Sequence, residues 1–102
     1  MAGLDDRERL VIIDDRERDR DVILNNLMDE LCKRQHNFDR NGGDERWSFD
    51  DVWQSKLSAF QRGEYTNEIV EQYRKESGYF DIDANDRIAL TERGKGHCRA
   101  GQ

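Results

Sequence analysis

The sequence predicts a small α+β domain, mainly α, in which three helices are followed by a two-stranded hairpin. Two observations carry that reading. Apolar residues recur at helical spacing through three segments up to residue 77, and after Gly78 their period changes from 3.6 to 2. The length of 102 residues sets an expectation of one domain, and a hydrophobic fraction of 34% allows it one modest core. Leu, Ile, Val and Phe make up only 21 residues, a composition close to that of disordered chains. The absence of proline and the grouping of the apolar residues argue for a folded chain instead.

The elements follow in order. Residues 1–20 read as a charged arm, in which Asp5-Asp6-Arg7-Glu8-Arg9 and Asp14-Asp15-Arg16-Glu17-Arg18 bracket Leu10-Val11-Ile12-Ile13. The apolar centre reads as one short buried strand or helical turn, or else as a dimerisation arm. Residues 21–35 form the clearest helix, with Asp21 as its cap. Its stripe comprises Val22, Ile23, Leu24, Leu27, Met28, Leu31 and Cys32, while Asn25, Asn26, Asp29, Glu30, Lys33 and Arg34 lie largely outside it. A polar loop runs from His36 through Asn41-Gly42-Gly43-Asp44.

Ser48-Phe49-Asp50-Asp51 resembles a capping box and opens a second helix that closes at Arg62-Gly63, with Trp47 as a staple in front of it. Thr66 caps a third helix to about Ser77, with Ile69, Val70 and Tyr73 inward and Gly78 as the stop. The alternation of Tyr79-Phe80-Asp81-Ile82-Asp83 and Arg87-Ile88-Ala89-Leu90 fits a three-residue loop, Ala84-Asn85-Asp86. That register sets Ile82 against Ile88, Phe80 against Leu90 and Asp83 against Arg87. A two-residue loop would put the apolar sets on opposite faces. Thr91 begins a short turn or helix, and residues 99–102 read as a flexible tail.

No run of about 18 apolar residues is present, which excludes a membrane-spanning helix. Met1–Asp6 has no basic stretch leading into an apolar one, so no secretory signal is expected. Two cysteines are too few for a disulfide scaffold, and the default expectation is a reducing cytoplasm. The net charge of −6 weighs against phosphate binding, but it is unevenly spread: residues 87–102 are basic, whereas residues 1–31 and 63–86 are acidic. Acidic, lysine-poor composition also fits adaptation to high salt, where an acidic DNA-binder is less paradoxical.

Three helices, the phrase Gly78-Tyr79-Phe80 and the closing Ile88-Ala89-Leu90-Thr91-Glu92-Arg93-Gly94 together resemble a winged helix-turn-helix domain of the small prokaryotic or archaeal transcription-regulator type. The resemblance covers about residues 20–98, so the domain is expected over residues 21–98. It implies a cytoplasmic, homodimeric regulator of transcription bound to double-stranded DNA, with no enzymatic activity and no cofactor. The third helix would enter the major groove and the wing tip would reach the neighbouring backbone. By position, the reading residues are Asn67, Glu71, Gln72, Arg74 and Lys75, with Lys56, Arg62, Arg87, Arg93 and Lys95 as further DNA contacts and Arg99 as one more basic side chain in the tail.

This chain departs from the pattern on the reading helix. Glu68, Glu71 and Lys75 point most directly outward, Glu71 and Lys75 form an i,i+4 pair, and the one wing arginine, Arg87, faces Asp83. Carboxylates facing phosphate cost affinity unless they accept from cytosine amino groups. The alternative is therefore an interaction module whose acidic third helix docks on a basic protein. A weaker candidate is a metal site from Cys32, His36, His97 and Cys98, against which Cys32 fits the apolar stripe and His97-Cys98 lies near the chain end. The aromatic residues fit core packing better than a base-stacking platform. No phosphate loop, nucleophile elbow or zinc-protease motif is present.

Overall fold

The computed structural model describes the backbone of residues 2–100 and the side chains of residues 18–100. Its elements are α1 (Ala2–Asn41), β1 (Trp47–Ser48), α2 (Phe49–Lys56), α3 (Glu64–Ser77), β2 (Phe80–Ile82), β3 (Arg87–Leu90) and α4 (Glu92–Ala100). The strands form one antiparallel sheet in the order β1-β3-β2. The domain is thus α+β and mainly helical. Among the described residues no helix is long and apolar enough to cross a membrane.

One stripe of α1 supplies about a third of the core: Ile23, Leu24, Leu27, Met28 and Leu31 are buried. They meet Phe49, Val52 and Trp53 of α2, Ile69 and Val70 of α3, and Phe80, Ile88 and Leu90 of the sheet. Each such side chain contributes roughly 1.5–3 kcal/mol by leaving water. Val22 differs from expectation: it is 38% exposed, at the edge of the stripe. Glu30 differs the other way, buried with its carboxylate 2.7 Å from Arg34 Nε one turn on.

Helix α1 runs through Asp21, which is therefore interior and no cap, and through His36, which is helical and starts no loop. The polar loop begins only after Asn41, where Gly42 and Gly43 take positive φ angles of 76° and 103°. The backbone of Leu10–Ile13 belongs to α1 and so is no strand; whether that run is buried or pairs two copies lies outside the described side chains.

Ser48 caps α2 as expected, its hydroxyl accepting from Asp51 N. Trp47 is more than a staple, because Trp47–Ser48 adds a third strand opposite Ile88 and Arg87. Helix α2 stops at Lys56, well before Arg62-Gly63, since Leu57 closes it with its N–H on Trp53 O. Trp53 Nε1 then donates to Phe60 O at 2.8 Å and draws the following turn inward. Helix α3 starts at Glu64, so Thr66 sits inside its first turn; from there its hydroxyl accepts from Gly63 N at 2.8 Å.

The hairpin has the expected register, Phe80 with Leu90 and Ile82 with Ile88. Asp83 Oδ1 accepts from Asn85 N and Arg87 N, and Asp86 takes a left-handed φ of 59°, as a three-residue loop requires. Helix α4 contains Arg99 and Ala100, which are helical and not tail.

Gly94 is the most tightly enclosed glycine among the described residues. A Cβ there would lie 1.9 Å from Tyr79 O and 2.9 Å from Leu90 Cδ2, and the first of these atoms is backbone. Gly94→Ala is expected to lower unfolding free energy by about 2–3 kcal/mol, the upper range for overpacking. Urea denaturation checks this, with Gly96→Ala, which meets nothing within 4 Å, as a control without that penalty.

Candidate nucleic-acid interface

The outer face of α3 is built by elimination. Ile69 and Val70 turn into the core, and Tyr73 packs edge-on to Tyr79, their ring centroids 6.0 Å apart. Asn67, Glu68, Glu71, Gln72 and Lys75 are left exposed. Gly78, left-handed at φ 66°, stops the helix with its N–H on Arg74 O and turns the chain directly into β2. The hairpin therefore lies immediately beyond the end of α3.

The ten sequence-selected residues do not form one patch. Arg62, Asn67 and Glu71 line a hollow of about 270 Å³ between α2, α3 and the hairpin, together with Phe49, Ile82 and Asp86. Arg62 acts there as a clamp. Its guanidinium is ion-paired with Asp50 and with Asp86, the latter at 3.2 Å, and lies 4.5 Å over the Phe49 ring. Burial alone would lower its pKa, but hydrogen bonds to Asp86 and Asp50 raise it. Arg62 thus ties α2 to the hairpin turn, where Phe49 N also donates to Asp86 O.

Arg74 is likewise engaged. Its Nε donates to Glu71 at 2.9 Å, so Glu71 pairs with Arg74 and not with Lys75. Gln72 donates to Glu76 at 3.0 Å. Lys75 has no ion pair among the described residues. Lys56 lies away from α3, in a groove shared with α1 and α4. Arg93 sits with its guanidinium 5.9 Å from the Tyr79 ring centroid.

The hairpin also differs from expectation. Asp83 presents its second carboxylate oxygen to Arg46, at 3.6 Å, and not to the Arg87 guanidinium. Arg87 Nη2 instead donates to Arg46 O at 3.4 Å, so Arg87 is exposed and without a carboxylate partner among the described residues. Arg46 follows the Gly42-Gly43 loop with no local pattern to mark it, and only the pairing of β1 with β3 brings it to the hairpin.

Lys95 is the clearest loss to the proposed surface. Its ammonium is 3.0 Å from Glu45 and 3.3 Å from Glu92, and its side chain is mostly buried. Gln35, buried in α1, donates to Glu45 at 2.9 Å from the other side. Hydrogen bonds from Gln35 and then Lys95 hold the Glu45 carboxyl below its ordinary value, and the Glu45 contact raises the pKa of Lys95.

The metal arrangement is not formed. Cys32 and Cys98 are bonded to each other in a disulfide with Cα atoms 5.5 Å apart, and His97 stacks on Tyr79 at 4.3 Å. Among the described residues no three potential ligands stand together. Cys32 does pack against the core from its place in the apolar stripe, but as one half of a disulfide.

Comparison with protein-family models, curated proteins and solved structures matches none of them.

Because Glu45 titrates lower in the folded chain than its ordinary 4.5, its contribution to stability is fully present above that value and is lost as pH falls through the lowered one. Glu45→Gln is expected to flatten the acid limb of a Tm–pH profile below about pH 4.5 and leave the neutral region nearly unchanged in slope. Thermal melts from pH 2.5 to 7 read this directly.

Proposed function

We propose that this chain is a winged helix-turn-helix domain that acts as a DNA-binding transcriptional regulator. The observation that carries the reading is the order helix, strand, helix, helix, hairpin, with the sheet arranged β1-β3-β2 and α3 running through Gly78 into the wing. That order sets an exposed helix face beside a hairpin, the pairing that reads a groove and its flanking backbone in such domains.

The contact set narrows to side chains that remain available. Asn67 supplies an amide for base edges and Gln72 its amide oxygen, its nitrogen donating to Glu76, and Lys75, Arg87 and Arg93 supply charge for phosphate. Arg62, Arg74 and Lys95 serve the fold through their carboxylate partners. Two copies, each offering one α3, would read two half-sites, which is the reason to propose a homodimer.

A second reading is favoured by one observation. Glu64, Glu68 and Glu71 line an open hollow on α3 with Asn67, and the Arg74 charge beside them is already neutralised. Such a face suits a basic protein segment.

Fluorescence anisotropy with duplexes selected from random sequence separates the two. Lys75→Glu and Arg87→Ala are each expected to weaken duplex binding about tenfold, the order of one or two charge-assisted contacts. With three free cations per copy, the slope of log K against log salt is expected near −5 for a dimer. Glu68→Lys should strengthen duplex binding under the first reading and abolish capture of a basic partner under the second. No duplex binding at tens of micromolar protein at any salt concentration overturns the DNA reading.

A further inference from the structure

We infer that the Cys32–Cys98 bridge is a thiol–disulfide exchange site, opened by a dithiol reductant, that controls the docking of the last turn of α4 on α1. Three observations lead there, independently of the DNA reading.

The bridge is accessible. Both cysteines are only partly buried, and both line an open groove of about 510 Å³ between α1, α2 and α4. Lys33, His36, Lys56 and His97 line the same groove, against one carboxylate, Asp29. That surplus of bases favours approach of an attacking thiolate and stabilises the thiolate that leaves.

The bridge also holds a segment that has little else to hold it. The start of α4 is secured without it: Thr91 Oγ1 accepts from Gly94 N, Gly94 rests on Tyr79, and Lys95 pairs with Glu45. Beyond Lys95 the helix has five residues. One is Gly96, and among the described residues the Tyr79–His97 stack and the disulfide are the ties that fasten this end to the body. A nine-residue helix with two glycines is too short and too weak in propensity to persist unsupported.

In the reaction, a reductant thiolate attacks one sulfur of the bridge and forms a mixed disulfide while the Cys32–Cys98 bond breaks and the other sulfur departs as a thiolate. The second thiol of the reductant then attacks its own mixed disulfide. The bridge gains two electrons and two protons, and the dithiol becomes a cyclic disulfide. Residues 96–100 then fray, carrying His97 off Tyr79 and out of the groove that it lines with α1.

The native chain treated with dithiothreitol, without denaturant, tests this. Expected results are complete alkylation of both thiols, closure again with oxidised dithiothreitol, and at least tenfold faster amide exchange across residues 96–100. Amides of α3 and of the hairpin should keep their protection within about twofold. Cys98→Ser should reproduce the open exchange pattern, and if that variant does not fold, the measurement on the native chain stands alone. Lys33→Glu should slow opening at least threefold at constant pH. A bridge that opens only in denaturant, loss of protection across the whole domain on reduction, unchanged exchange in residues 96–100, or equal opening rates with and without Lys33→Glu each overturn the proposal.

Discussion

The hydroxyl of Thr91 joins the end of α3 to the start of α4. It donates to Gly78 O at 2.6 Å and accepts from Gly94 N, while Thr91 N donates to Tyr79 O. The end of α3, Tyr79 just ahead of β2 and the start of α4 therefore share one small network. Its geometry needs backbone against backbone, which is why Gly94 carries no side chain and Gly78 takes a left-handed turn. The direction in which α3 presents its outer face relative to the hairpin follows from this junction.

Charge is organised around the same frame. The chain spends several of its cations internally: Arg62 on Asp50 and Asp86, Arg74 on Glu71, Lys95 on Glu45 and Glu92. These pairs join α2 to the hairpin turn and the loop after α1 to α4. An abundance of arginine in this chain is thus partly architectural. On the side of α3 and the hairpin, Lys75, Arg87 and Arg93 are left for a ligand, near the carboxylates of α3.

Much of the frame was legible in the residues. The hairpin register could be read because side-chain alternation allows only one loop length that keeps Phe80, Ile82, Ile88 and Leu90 on one face, and those pairs are the ones formed. The Ser48 cap and the Gly78 stop were readable for local reasons, a hydroxyl and an αL-tolerant residue where the helix needs them. Other features had no local signal. A two-residue strand, Trp47–Ser48, is too short to show a period. Asp21 has the chemistry of a cap, but α1 continues through it on both sides. The end of α2 moved to Lys56 because Trp53 prefers the carbonyl of Phe60, a contact across a turn. On the candidate surface, charge type was readable but pairing was not: Arg62, Arg74 and Lys95 looked available until their partners came into view.

The position of the disulfide has a mechanical side. A sequence separation of 66 residues places β1, α2, α3, the hairpin and most of α4 inside one covalent ring. Tension applied at the two ends of the oxidised chain passes from α1 through the sulfur bridge to the last residues of α4 and bypasses everything between. Roughly 220 Å of contour length, at about 3.3 Å per extended residue, is shielded from the load. Reduction would return that length to the pulling axis and load, for the first time, the part of the core that lies inside the ring, in α2, α3 and the sheet.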